Sequence, residues 1–405
     1  MAVMGISFGL DDPIRRELLE AIDSLKEPSF KIAQSIHEKP ELGFSEFFAV
    51  KLLAEAFEAH GVKIEKGVAG LDTAFLARAK GRGAGPKIGL RTEYDALAGI
   101  GHGCAHNLIA AASFATVAGI AKVIERLDGE VIAVGSPAEE GGGGKIIMIE
   151  AGVFRDLDAV LAVHHGGGRN SIATEPGTGR ILGMTPVSVE FFGKAAHAGQ
   201  APHEGINALN AVMMVFAGID ALRQHVPPDV RIHGIITKGG DAPNVVPDYA
   251  SAKFLVRAAD HRLMGEVVQK VENIVKGAEL MTGARATTKI GMAYKPLRPN
   301  ITLGRLFAKN MEEVGLRLSP LTGAIDPVST DLGNVSHEVP TGSARFAISE
   351  SDIPGHSLDV VHGASSPLGL GNMLLAAKAM ALTALDLLTK PEILVEAKKE
   401  FASLR

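Results

Sequence analysis

The sequence predicts an α/β fold in which a mostly parallel-sheet domain is interrupted by an inserted βαββαβ sandwich. Three observations carry this expectation. At 405 residues the chain exceeds what one hydrophobic core serves, so at least two domains are expected. Beyond residue 60, buried-looking strands alternate with helices, the rhythm of a largely parallel sheet. Between about 184 and 294 the order becomes β-α-β-β-α-β, the split βαβ sandwich. The expected domains are therefore 1–183 plus 295–405, with 184–294 inserted.

Along the chain, residues 13–60 read as two helices, with apolar positions three and four apart in PIRRELLEAIDSL and SFKIAQSIHEK. SEFFAVKLLAEAFEAHG starts on Ser45 in a capping-like way and stops at Gly61. DTAFLARA and PKIGLRTEY read as strands, LIAAASFATVAGIAKVIERL as a helix, and GEVIAVGSP as a buried strand. KIIMIEAGVF is helical and DAVLAVHH is another buried strand. In the insert, TPVSVEFFGK alternates as a strand does, and GINALNAVMMVFAGIDALRQHV is amphipathic. VRIHGIITKG and YASAKFLVRAA follow as strands, then the helix MGEVVQKVENIVKGAEL and the strand ARATTKIGMAY. Residues 295–405 return to short strands and a long Ala/Leu helix near 370–390.

Composition excludes several classes. With 41 Lys+Arg against 46 Asp+Glu the net charge is −5, which argues against a nucleic-acid partner. No unbroken apolar run reaches about 18 residues, so no membrane span is expected. The N-terminal stretch lacks a basic region followed by an apolar one, and the chain has one cysteine. Both features favour a cytoplasmic protein without disulfides. No GxSxG elbow between a strand and a helix, no Walker A loop and no strand-borne G-x-G-x-x-G pattern is read, so neither a serine nucleophile elbow nor a phosphate cradle is expected.

The chemistry-bearing residues recur at strand ends beside Gly or Pro. Cys104 and His106, in GHGCAHN, stand two apart before a helix, and thiolate and imidazole both ligate metals. A lone Cys is more often a buried, inert residue, and the two flanking His weaken that reading here. Glu139 and Glu140 follow a buried strand and precede four glycines, at the rim where α/β ligand sites lie. One could hold a metal while the other acts as a general base. His164 and His165 end another strand, His197 lies in GKAAHAG, and His356 lies in PGHS. Any single one of these His could be an ordinary surface or core residue. Asp95, in TEYDAL, is a helix cap or the carboxylate that orients a ligating imidazole.

Taken together, these segments resemble the dinuclear metallo-aminoacylase/carboxypeptidase family of amidohydrolases. The resemblance runs from HEKPEL (37–42) through GHGCAHNLI, SPAEEGGGG, AVHH, GKAAHAGQAPHEGINALNA, NVVPD and STDLGNVS to PGHS. The motifs lean toward the p-aminobenzoyl-glutamate hydrolase and β-alanyl dipeptidase branch, with auxin-conjugate hydrolases also related. The resemblance implies metal ligands at Cys104, His106, Glu140, His164 and His356, holding two divalent ions of zinc, manganese or cobalt. It implies Glu139 as the general base toward a water shared by the ions. It implies His197 as the oxyanion stabiliser acting in a partner's site, and Asn244 and Arg257 as holders of the substrate carboxylate. The expected substrate is a small N-acyl or aryl-acyl amino acid or dipeptide, and the expected assembly is a homodimer through the insert. Two departures stand out: Ala105 sits where the family usually has Gly, and Ala98 follows TEYDAL in place of Pro. A hydrolytic deaminase using the same metal site is the alternative activity. A non-catalytic binding protein would need a lost ligand or base.

Overall fold

The computed structural model describes residues 12–166, 168, 172–173, 181–319 and 327–403. Residues 1–11, the first part of the N-terminal stretch read for a leader, therefore lie outside the described residues. The chain divides into two compact units. The first comprises residues up to 179 with 298–324 and 334–405, and the second comprises 180–297 with 325–333. Of the described residues, 327–333, which sequence assigns to the outer domain, group with the second unit.

The first unit opens with three helices where the sequence suggested two. These are α1 (Pro13–Ser24), α2 (Lys26–Glu38) and α3 (Phe47–Ala59). Leu25 alone separates α1 from α2, and Pro28 is accommodated in the first turn of α2, where no helical amide is missed. Asp12 caps α1 by accepting from the Ile14 amide at 3.0 Å, with Pro13 at the first helical position. Ser45 does not cap α3. The Glu41 carboxylate does so instead, accepting from the Phe48 and Ala49 amides at 2.9 and 3.0 Å.

There follow β1 (Lys63–Lys66), β2 (Phe75–Lys80), β3 (Gly83–Thr92), α4 (His106–Ala121), β4 (Asp128–Gly135), α5 (Gly144–Glu150), β5 (Ala159–His165) and β6 (Ile172–Ala173). The second unit supplies β7 (Gly183–Phe192), α6 (Ala208–Arg223), β8 (Arg231–Lys238), β9 (Tyr249–Ala258), α7 (His261–Thr282) and β10 (Arg285–Ile290). The chain then returns through α8 (Ile301–Glu313), α9 (Leu332–Val335), β11 (Thr341–Phe346), α10 (Leu358–Gly363), α11 (Pro367–Thr389) and α12 (Pro391–Ser403).

Sheet order in the first unit is β1-β2-β4-β3-β5-β11-β6. Strands β4, β3, β5 and β11 are mutually parallel, and antiparallel strands close both edges. Beyond residue 295 the described residues hold one strand, β11, with helix α8 where only strands and one helix were expected. Helix α4 is buried on every side, which explains its run of Ala, Ile and Phe without a polar face. It packs with α11 under the sheet, Thr116 Oγ1 donating to the Ala377 carbonyl at 3.1 Å. By length and composition α11 could cross a membrane, but 72% of its apolar window is buried inside the structure. Lys378 and Asp386 interrupt it, which is why no unbroken apolar run appears in the sequence.

The second unit has the element order β7-α6-β8-β9-α7-β10 expected of the insert. Its four strands form an antiparallel sheet ordered β10-β7-β9-β8. Buried and half-buried positions alternate strictly along β7, so one face meets the two helices. Asn207 and Asp260 cap α6 and α7, and Gly283 at φ 72° ends α7.

Candidate metal centre

The parallel strands decide where the chemistry collects. Because β3, β4 and β5 run the same way, their C-terminal ends share one edge of the sheet. Glu93 and Asp95 follow β3, Glu139 and Glu140 follow β4, and His164 closes β5. The loop after β3 leads to Cys104 and to His106, the first residue of α4. The loop after β11 brings His356 to Glu140, the His356 Nε2 lying 3.6 Å from Oε2.

Six expected residues are thereby brought together. Ligand atoms of Cys104, His106 and His164 lie within 4.8 Å of one another, as do those of Cys104, Glu140 and His356. Cys104 belongs to both groupings. A third grouping joins His106, Glu139 and Glu140. Of the histidine doublet it is His164 that faces Cys104, with Nε2 3.4 Å from Sγ. Its Nδ1 lies 3.0 Å from the His165 carbonyl oxygen, which only accepts, so Nδ1 holds the proton and Nε2 presents its lone pair.

Asp95 fixes His106 in the same sense. One carboxylate oxygen meets His106 Nδ1 at 2.9 Å, and the other accepts from the Glu140 amide at 2.9 Å. Asp95 therefore orients two expected ligands at once, the orienting role expected of it rather than that of a helix cap. His106 Nε2 then points at three carboxylates, 3.8 Å from Glu93, 3.9 Å from Glu140 and 4.0 Å from Glu139.

Burial and mutual charge set the protonation of the buried cluster. Burial opposes the charged ring of His106, yet Cys104 and Asp95 raise its pKa well above the ordinary value. Burial pushes the Cys104 thiol up to about 12 against the pull of His106. Burial, then His165, pushes His164 well below its ordinary value, leaving it neutral. His106 Nε2 and Glu140 Oε1 are buried without a hydrogen-bond partner. Orphaned nitrogen and oxygen donors around a soft sulfur are the donor set of a zinc-like or transition-metal ion, so the residues fit the two ions expected.

Sequence reasoning missed two supports. Glu93 lies within TEYDAL, where nothing in the sequence marks it out. It is fully buried, pairs with the buried Lys145 at 2.6 Å and lies 3.5 Å from Arg91 Nε. Although burial works against it, Arg91 and Lys145 hold its carboxyl down to about 2. Lys145 follows the four glycines directly, and that position was the available signal.

Backbone strain is concentrated in the same loops. Ala105, Ala138 and His356 adopt φ of 54°, 56° and 53°. Left-handed backbone in non-glycine residues persists only where the surroundings enforce it, and it marks functional loops. Ala105 keeps the turn that Gly would adopt without cost.

His197, Asn244 and Arg257 lie on the second unit. His197 is exposed, and its Nδ1 accepts from the Gly199 and Gln200 amides at 3.2 and 3.0 Å. The proton therefore sits on Nε2, which is a donor. The Ala198 amide bonds the Asn244 carbonyl at 2.9 Å, so His197 and Asn244 occupy paired loops. Arg257, on β9, donates to the Pro327 carbonyl and to Ser329 Oγ at 3.1 and 3.0 Å.

Comparison with known proteins fixes the family. Residues 182–280 match the model of a peptidase dimerisation domain. The chain is 34% identical over 403 residues to the mouse Xaa-Arg dipeptidase, covering 96% of this chain and 92% of the relative. It is 30% identical over 461 residues to a p-aminobenzoyl-glutamate hydrolase polypeptide of Escherichia coli, covering 96% and 94%. The chain belongs to the M20 family of peptidases and amidohydrolases. A Bacillus subtilis dinuclear metal-binding peptidase of that family superposes with a TM-score of 0.71 at 19% identity, over 91% of this chain and 99% of the other. An aminobenzoyl-glutamate utilization protein from Klebsiella pneumoniae gives 0.72 at 21% identity, over 91% and 98%. Membership of the M20 family makes the chain a metal-dependent hydrolase of amide bonds, and it accounts for the catalytic unit and the inserted dimerisation unit.

Proposed function

We propose that the chain hydrolyses the amide bond of a small N-acyl or aryl-acyl amino acid or dipeptide. The observation that carries this reading is the sharing of Cys104 between two donor groupings, one completed by His106 and His164 and the other by Glu140 and His356. These five residues would hold two divalent ions, zinc, manganese or cobalt. When bound, such ions supply Lewis acidity to the scissile carbonyl and to the attacking water. Glu139 has a carboxylate oxygen 4.0 Å from His106 Nε2 and belongs to neither Cys104 grouping. Its role is proton transfer: it takes the proton of the attacking water and returns it to the leaving amine.

His197 donates from Nε2 to the oxygen on which charge builds, an interaction worth about 10²–10³ in rate at comparable sites. The dimerisation unit supports a homodimer, in which His197 serves the partner's site. Arg257 and Asn244 hold the substrate carboxylate, the guanidinium as a fixed cation. The names of the relatives support an amino-acid leaving group, with Xaa-Arg dipeptides and p-aminobenzoyl-glutamate as first substrates to assay.

The test is Glu139→Gln in metal-loaded enzyme against those two substrates, with metal content measured in parallel. Turnover lost at unchanged metal content is expected. Equal loss of metal would make Glu139 a ligand, and full turnover would remove it from the mechanism.

A further inference from the structure

The HEKPEL segment and the residues after it are used by nothing in this mechanism, yet they brace its central turn. Glu46 occupies the capping position of α3 and caps nothing, because Glu41 serves the α3 amides. The Glu46 carboxylate is fully buried and reaches across 92 positions of sequence to accept from the Ala138 amide at 2.8 Å. Ala138 immediately precedes Glu139 and Glu140. It is 2% exposed and left-handed at φ 56°, and its carbonyl accepts from the Gly142 and Gly143 amides at 3.0 and 2.9 Å. Gly43 and Gly142 close on it so tightly that a Cβ on either would lie 2.7 or 2.5 Å from the Ala138 Cβ.

We infer that Glu46 is a positioning residue for hydrolysis: its buried carboxylate pins the Ala138 peptide in the left-handed turn that presents Glu139. The inference rests on the assignment of Glu139 as the base. A buried carboxylate costs free energy through desolvation, and a surface capping role would have avoided that cost. Burial raises the Glu46 carboxyl above its ordinary value, although Thr73 and the Ala138 amide work against this. A neutral acceptor is enough for the bond to Ala138, so an amide can replace the carboxyl. Without an acceptor the Ala138 amide is orphaned, and the residue relaxes toward right-handed backbone, which swings the base.

The experiment compares Glu46→Ala, Glu46→Gln, the double variant Glu46→Ala/Ala138→Gly, and Glu139→Gln. The substrate is the dipeptide or N-acyl amino acid that the wild-type enzyme turns over fastest. Glu46→Ala is expected to lower kcat about 10- to 100-fold, the scale of a displaced catalytic group. KM and metal per chain should stay near wild type. Glu46→Gln should recover most of that loss. Ala138→Gly should recover part of it in the Glu46→Ala background, because glycine holds the left-handed turn unaided. Should Glu46→Ala unfold, Glu46→Leu fills similar volume without an acceptor and reads the same quantity. A kcat within twofold of wild type, a loss matched by lost metal, or no rescue by Gln overturns the inference. Glu139→Gln separates the two ideas. If that variant keeps turnover the base assignment falls, and if it is dead while Glu46→Ala is active only the positioning role falls.

Discussion

Asp95 is where one substitution should disturb the most geometry for the least change in volume. Its two oxygens accept from His106 Nδ1 and from the Glu140 amide, both at 2.9 Å, and Asp95 itself is 1% exposed. Asparagine keeps one acceptor and turns the other into a donor, so one of the two partners must face a like group. A buried donor left unsatisfied costs about 1–3 kcal/mol. Loss of a carboxylate that orients a ligating imidazole lowers metal affinity about 10- to 100-fold. At about 1.4 kcal/mol per decade this is about 1.4–2.8 kcal/mol, the same order as the hydrogen-bond cost. Asp95→Asn should therefore bind zinc or manganese about 10- to 100-fold more weakly in a chelator competition. Its metal-free form should lose about 1–3 kcal/mol in urea unfolding. Wild-type metal affinity in Asp95→Asn would refute the idea that this carboxylate sets the His106 ring.

Three further outcomes are expected. Cys104→Ser should bring metal per chain below two and weaken metal binding by at least about 100-fold, measured by elemental analysis; cobalt-loaded protein should lose its sulfur charge-transfer band. Arg15 is 3% exposed and bonds Asp386, Glu313 and Asn310 at 2.8, 2.7 and 3.0 Å, so Arg15→Met should cost about 3 kcal/mol in denaturant unfolding, with Lys390 retaining part of the balance at Asp386. Burial pushes His102 down to about 3, whereas the unfolded ring takes its proton near 6.5. Between those values the unfolded state holds more protons, so stability falls as pH drops through that window. His102→Gln should flatten the fall seen in unfolding of metal-free protein between pH 7 and 5.

Periodicity is enough to read β2 to β5 and the whole insert, because a strand buried on both faces or alternating strictly leaves a plain mark. It is less informative at Leu25, where one residue divides α1 from α2, and at α8, whose pattern goes unread. The donor residues are legible because Cys104, Glu140, His164 and His356 sit at strand or loop ends beside Gly or Pro. Glu46, Glu93 and Lys145 are not, since a carboxylate or ammonium looks solvated until its partner is known, and those partners lie 92, 52 and 52 positions away. The capping of α3 shows the same limit: Ser45 has the right chemistry, but the loop geometry gives the task to Glu41.

The route of the chain through its two units has a consequence for biogenesis. The core of the first unit joins Leu18 to Ala397, and α4 finds its partner α11 only after some 250 further residues have been made. The insert, almost contiguous, can close its own sheet earlier. Emerging from the ribosome, the apolar α4 therefore waits without its α11 partner while the second unit folds, and α11 and α12 arrive last. Long-range closure of this kind is slow and leaves a sticky intermediate. Truncations inside α11 should accordingly yield a folded insert attached to an aggregating remainder, rather than a weakened but complete enzyme.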